Sequence, residues 1–165
     1  MKPLSDLRLI SLAVIQEKPQ ASLTRYQVMS KINHILHDLQ PPYSPGAVYH
    51  DLKLAAADRL IIINHNAHVT ITPEGLRLLH YELMETPMPV PLFSILTRIL
   101  ATLLLYDQAF RAKALQKLQI EMIKYSQNTA NSERQPYGNN VSPDNWTLYL
   151  SETLRKSIQS FVAQI

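Results

Sequence analysis

The sequence predicts a mainly α fold: three short helices closed by a two-stranded hairpin, followed by a longer helical half. Three observations predict it. Apolar residues recur at three- and four-residue spacing along six stretches of the 165-residue chain. Two short β-rich runs, 60–64 and 68–72, are joined by the polar turn His65-Asn66-Ala67. Prolines at 87, 89 and 91 divide the chain into 1–86 and 87–165.

Composition narrows the function. Apolar residues are 46% of the chain, enough for a core, and there is no cysteine. Disulfide scaffolds, thiolate metal sites and thiol catalysis are therefore excluded. Glycine occurs only at 46, 75 and 138, too far apart for a phosphate-binding loop. No secretory signal is apparent, and the run 99–106 falls far short of the roughly 20 residues that span a bilayer. A cytoplasmic protein without membrane partners is expected. Residues 1–85 carry eight Lys/Arg against eight Asp/Glu, and residues 86–165 carry eight against five. All six histidines lie in the first half.

In chain order, the spacing predicts a first helix over 5–17, capped by Ser5, with Leu7, Ile10 and Val14 on its apolar stripe. A second helix is expected over 23–37, capped by Ser22, with Tyr26, Met29, Ile32 and Leu36 toward a core. Pro41-Pro42 ends it in an extended turn. Ser44-Pro45 then starts a third helix of roughly 14 residues: serine caps, and proline suits the first helical position because its missing N–H would be unpaired there. Val48, Leu52, Ala55 and Ala56 form its inward face; Gly46, Tyr49, His50 and Lys53 fall on the other side. After the hairpin, Thr72-Pro73 repeats the same start signal for a fourth helix over 73–84. Beyond the prolines, one long helix is expected over 92–127, a polar loop over 128–145, and a last helix over 144–165.

Residues 7–80 resemble the PadR family of bacterial transcriptional regulators. The resemblance is carried by Leu7-Arg8-Leu9-Ile10, by Ser44-Pro45-Gly46 with Val48-Tyr49 and Leu52-Lys53, by Leu60-Ile61, and by Thr72-Pro73-Glu74-Gly75, in that order and spacing. It implies a winged helix-turn-helix over 1–86, an α-helical dimerisation domain over 87–165, and operator binding as a homodimer, most often in repression. Three places depart from the family pattern, one being Arg59, where a small turn residue is expected before the strand. His-Gly-Tyr-Glu in the second helix is here Thr24-Arg25-Tyr26-Gln27, and the charged end of the third helix is here Leu54-Ala55-Ala56-Ala57.

Elementary chemistry supports a double-stranded DNA partner independently. A major groove about 12 Å wide admits one α-helix. The residues expected to face DNA are Ser44, Gly46, Tyr49, His50 and Lys53 on the third helix, Arg25 and Lys31 on the second, and His65 in the wing. The dimer seam is expected to use Leu96, Ile99, Leu103 and Tyr106, with Trp146, Leu150, Leu154, Ile158 and Phe161. No cofactor, metal or catalytic residue is expected. His50 and Asp51 are adjacent on a helix and point about 100° apart, which rules out a triad geometry. An effector of unknown chemistry is allowed for. The alternative reading is a winged-helix module turned to protein binding, for which the apolar stretch 54–57 speaks.

Overall fold

The computed structural model describes residues 3–87 and 91–132. Its elements are α1 (Asp6–Gln16), β1 (Leu23–Thr24), α2 (Arg25–Leu36), α3 (Pro45–Ala57), β2 (Ile61–Ile63), β3 (His68–Ile71), α4 (Pro73–Glu85), α5 (Leu92–Leu103) and α6 (Gln108–Ser132). The fold is a winged helix-turn-helix followed by further helices.

Helix starts follow the cap chemistry. Ser5, Ser44 and Thr72 each accept a hydrogen bond from the backbone N–H three residues on, and Pro45 and Pro73 open α3 and α4. The expected Ser22 cap of α2 is replaced by Thr24. Its side chain accepts from Gln27 N–H at 3.2 Å, and Gln27 Oε1 accepts from Thr24 N–H at 2.8 Å. That reciprocal capping box satisfies two otherwise orphaned donors, and it is built from residues that depart from the family pattern.

The wing is three-stranded rather than two-stranded. Leu23–Thr24 pairs antiparallel with β3, giving the order β1-β3-β2, with Leu23 opposite Val69 and Ile61 opposite Ile71. A two-residue strand has no periodicity to read, so its pairing is a tertiary outcome. It fixes the start of α2 to the wing: Arg25 N–H also donates to Ala67 O at 3.1 Å.

α1 is the central post. It is buried along Arg8–Gln16 and touches α2, α3, α4, α5 and β3. The core gathers Ile10, Leu12 and Val14 with Val28, Ile32, Leu36, Val48, Leu52, Leu79 and Leu83. Tyr26, expected inward, is 64% exposed instead. It lies in the first turn of α2, before the stripe of Val28, Ile32 and Leu36 that turns toward α1.

The expected single helix over 92–127 is two helices. Leu104 closes α5, and Asp107 caps α6, accepting Phe110 N–H at 3.0 Å through Oδ1 and Arg111 N–H at 2.8 Å through its carbonyl. Gln16 occupies the gap: its Nε2 donates to Leu104 O at 3.0 Å, and its Oε1 accepts from Tyr106 N–H at 3.2 Å. The apolar stripe runs through the break, so periodicity alone conceals it. α6 continues to Ser132, past the expected helix end at 127 and into the expected loop.

The chain divides into the compact units Met1–Ala114 and Leu115–Ile165. α5 thus lies with the winged helix, although the proline-rich stretch precedes it. Within the second unit, Lys117 and Glu121 form an i,i+4 ion pair at 3.4 Å. The last helix expected over 144–165, with Trp146, Leu150, Leu154, Ile158 and Phe161, lies outside the described residues.

Candidate nucleic-acid interface

α3 is fastened from behind. Val48, Leu52 and Ala55 are buried, as expected, and Asp51 joins them at 8% exposure. Arg8 of α1 meets that carboxylate: Nε donates to Asp51 Oδ1 at 2.8 Å, Nη2 to Asp51 O at 3.1 Å, and Nη1 to Asp58 Oδ2 at 3.3 Å. Burial pushes the Asp51 carboxyl above its usual value, while Arg8, His50 and Ser11 pull it down. The Leu-Arg-Leu-Ile opening of α1 therefore carries the counter-charge that orients α3. Sequence reasoning missed Asp51 as an anchor because an isolated aspartate reads as solvated.

The turn entering α3 is clamped as well. Asn33 Nδ2 donates to Tyr43 O at 3.0 Å, and Tyr43 N–H donates back to Asn33 Oδ1 at 2.8 Å. One amide thus takes both polar groups of the residue before the Ser44 cap. The far end of α3 closes in a Schellman turn: Arg59 N–H donates to Ala56 O at 3.0 Å and Leu60 N–H to Ala55 O at 2.9 Å. Arg59 stands at φ 60, the left-handed conformation where glycine is usual.

With its back held, α3 presents Ser44, Gly46, His50 and Lys53 to solvent. Gly46, His50 and Lys53 follow four- and three-residue spacing and so form one stripe. A Cβ added at Gly46 meets nothing nearer than Ser44 Oγ at 3.9 Å, so packing does not demand glycine there. The Ala47 N–H donates to the Ser44 cap at 3.2 Å; the Gly46 N–H makes no such bond. Tyr49 is half-buried against the core, and the Arg25 guanidinium lies 5.3 Å from the centre of its ring.

The other expected contacts differ in what they have left to offer. Lys31 is tied to Glu17 in an ion pair. His65 is exposed in the hairpin turn, which Asn64 Oδ1 holds by accepting Asn66 N–H and His68 N–H, each at 3.0 Å. Among the described residues, Arg8 and Arg77 are also spent on internal carboxylates, whereas Lys18, Arg25, Lys53 and Arg59 make no ion pair. Four acids, Glu17, Asp51, Asp58 and Glu74, are engaged in those same pairs, Asp51 and Asp58 sharing Arg8. Arg25 on α2 and Lys53 on the exposed side of α3 are thus among the cations of the first half that stand outside ion pairs.

Other candidate chemistry is not assembled. His34 and His37 stack with centroids 6.1 Å apart, and His37 faces Asp38 at 2.9 Å. Among the described residues, no three His, Asp or Glu side chains converge as metal ligands. An open cleft of about 510 Å³ lies between the start of α1, the end of α4 and α5. Its polar groups already have partners: Ser94 Oγ donates to Asp6 Oδ2 at 2.7 Å, and Arg98 donates to the carbonyls of Glu82 and Pro87. No helix among the described residues is long and apolar enough to cross a membrane.

No family model matches the chain, and no curated protein matches it in sequence. Among solved structures it is similar to Bacillus subtilis PadR. The crystal structure with p-coumaric acid is 18% identical, with 97% of this chain and 96% of that chain covered, at a TM-score of 0.46. The crystal structure with operator DNA is 16% identical, with 99% and 97% covered, at a TM-score of 0.43. The winged-helix assignment itself rests on the element order, the sheet register and the anchored α3 described above.

Proposed function

We propose that this chain is a sequence-specific DNA-binding transcriptional regulator, a cytoplasmic repressor acting as a homodimer. The observation that carries the reading is the two-sided construction of α3. One side is locked by Val48, Asp51, Leu52 and Ala55; the other exposes Gly46, His50 and Lys53 with no internal partner for the lysine. A rigid helix with a narrow, glycine-lowered edge and free donors suits a major groove. Ser44 and the Gly46 N–H face phosphate at the helix start, where the dipole favours an anion. Arg25, Tyr49 and His65 flank the groove. Lys31 is a lesser contributor, since it must first leave Glu17.

Two such helices would read successive major grooves about 34–36 Å apart on a pseudo-palindromic site. Residues 87–165 would set that spacing as the dimerisation domain. Leu96, Leu103, Tyr106, Trp146, Leu150, Leu154, Ile158 and Phe161 would supply the seam. Ile99 has little to give, being 5% exposed within the single chain.

The test is selection of bound duplexes from random DNA with the purified protein. One enriched, two-fold-symmetric motif is expected, lost with Lys53→Ala together with His50→Ala. Light scattering should return twice the chain mass. Enrichment unaffected by both substitutions would remove α3 as the reader, and a stable monomer would remove the two-fold mechanism.

A second reading has its own observation. Leu54 is 45% exposed on α3, and Ile62 is 59% exposed on β2, which pairs with β3 alone among the described strands. Such a surface suits a protein partner. Failure to enrich any duplex would favour this reading.

A further inference from the structure

Arg25 is an expensive residue at its position. It is the first residue of α2, where the helix dipole is positive, and no acidic residue shares that turn. Among the described residues its guanidinium makes no hydrogen bond and no ion pair, in contrast to Arg8, Lys31 and Arg77. Local stability gives no reason for a cation there. Yet the residue is held at both ends. Its backbone N–H donates to Ala67 O at 3.1 Å, on the wing, and its guanidinium sits 5.3 Å from the centre of the Tyr49 ring, on α3. The electron-rich ring face offsets part of the unfavourable charge while leaving the edge donors of the guanidinium unspent.

A cation placed against its own helix dipole, fixed in position and with its donors free, is built to meet an anion from outside. The anion that arrives beside a helix in a DNA groove is a backbone phosphodiester. We propose that Tyr49 acts as a positioning residue for Arg25, and that this cation–π pair, joined to the wing through the Arg25 N–H and Ala67 O, is one preorganised phosphate clamp. This rests on the DNA-binding reading. It changes the role of Tyr49: its contribution passes through Arg25, and its own hydroxyl is secondary. Preorganisation matters because an arginine loses rotamer freedom when it binds, and here that loss is already taken in the folded protein.

The experiment uses the full chain and a fluorescent pool of random-sequence 30-base-pair duplexes, titrated across salt concentration. Each phosphate neutralised contributes about 0.9 to the slope of log K against log salt. Arg25→Ala should flatten the slope by about that amount per protomer engaged. Tyr49→Leu keeps apolar bulk without the ring face and should flatten it almost as far. Tyr49→Phe keeps the ring and should leave the slope at the wild-type value. Combining Arg25→Ala with Tyr49→Leu should do no more than Arg25→Ala alone. Arg25→Lys should keep most of the slope but bind several-fold more weakly, because an ammonium lacks the planar fork of donors that meets a phosphate bidentately. The inference is overturned, with DNA binding intact, if Tyr49→Leu leaves the slope unchanged, if the two substitutions add, or if Tyr49→Phe behaves like Tyr49→Leu. Wild-type protein that shows no salt-dependent binding to the pool overturns the DNA-binding reading, and this inference with it.

Discussion

Gly46 and Gly75 show how the same residue serves opposite ends. At Gly75 an added Cβ would stand 2.0 Å from Leu60 O, inside the contact between α4 and the strand that Leu60 leads into. The neighbour is backbone and cannot step aside. Gly75→Ala should therefore cost at least about 3 kcal/mol in urea unfolding, the upper range for overpacking. At Gly46 the same methyl enters open space. Gly46→Ala should leave stability unchanged or raise it by up to about 1 kcal/mol, since alanine is the better helix former. If the glycine is there to admit a DNA backbone, the same variant should bind duplex at least about fivefold more weakly, a loss of about 1 kcal/mol. Unchanged binding would show that nothing approaches that edge. The sequence alone made both glycines look alike, each in the first turn of a helix opened by a Ser or Thr cap and a proline. Which of them faces the protein is a tertiary fact. Arg59 differs: the sequence already sets it where a small turn residue is expected, and its left-handed backbone, closing the Schellman turn at Leu60, gives the physical reason.

At the scale of elements, polar pairs buried between helices decide how α3 and α4 are held. The Arg8 and Asp51 side chains are only 10% and 11% exposed. Removing Asp51 leaves Arg8 buried with only the exposed Asp58 for a counter-charge, so Asp51→Ala should cost about 3 kcal/mol, the low end for a broken buried pair, while Arg8→Met with Asp51→Leu should come close to neutral. Chemical denaturation of the three proteins checks this, and a mild Asp51→Ala would mean that Asp58 alone compensates Arg8. α4 is joined to the start of α6 by His80, whose ring stacks on Phe110 with centroids 3.7 Å apart and planes 14° apart. Burial lowers the pKa of His80 below its usual value, with Asp107 opposing. The folded chain thus prefers the neutral ring, and the unfolded chain takes up the proton first. Stability that is complete above the ordinary histidine value of about 6.5 is lost as pH falls toward the lowered folded value. His80→Phe keeps a stacked ring and removes the titration. Its stability should fall less than that of wild type between pH 7.5 and 5, and parallel pH profiles would contradict this. The elements themselves were largely legible, because Ser5, Ser44-Pro45 and Thr72-Pro73 announce three helix starts. The break at 104–107 was not, because Leu104 and Leu105 continue the stripe while Gln16, nearly ninety residues earlier, fills the gap. β1 was hidden for a related reason: two residues become a strand only when β3 lies beside them.

At the scale of the whole molecule, charge placement matters more than charge count. The chain has a net charge of only +3, which by itself argues for weak attraction to nucleic acid. Pairing changes what that number means. Glu17, Asp51 and Glu74 are paired with Lys31, Arg8 and Arg77, and Asp58 shares Arg8, so the position of the unpaired cations matters more than the sum. What remains toward the proposed groove is Arg25 and Lys53, neither in an ion pair, and a dimer doubles them. Four phosphates neutralised would give a slope of log K against log salt of about −3.6, well short of the slope near −10 known for strongly basic repressors. The prediction is a shallow salt dependence at pH 8, combined with a large ratio of specific to random-duplex affinity, since little non-specific attraction accompanies the base contacts. Titrations of a selected duplex and of the random pool, each from 50 to 200 mM salt, measure both quantities. A slope steeper than about −7 would require nearly twice the cations that the face presents. It would bring in further basic side chains, of which Lys18 and Arg59 make no ion pair among the described residues.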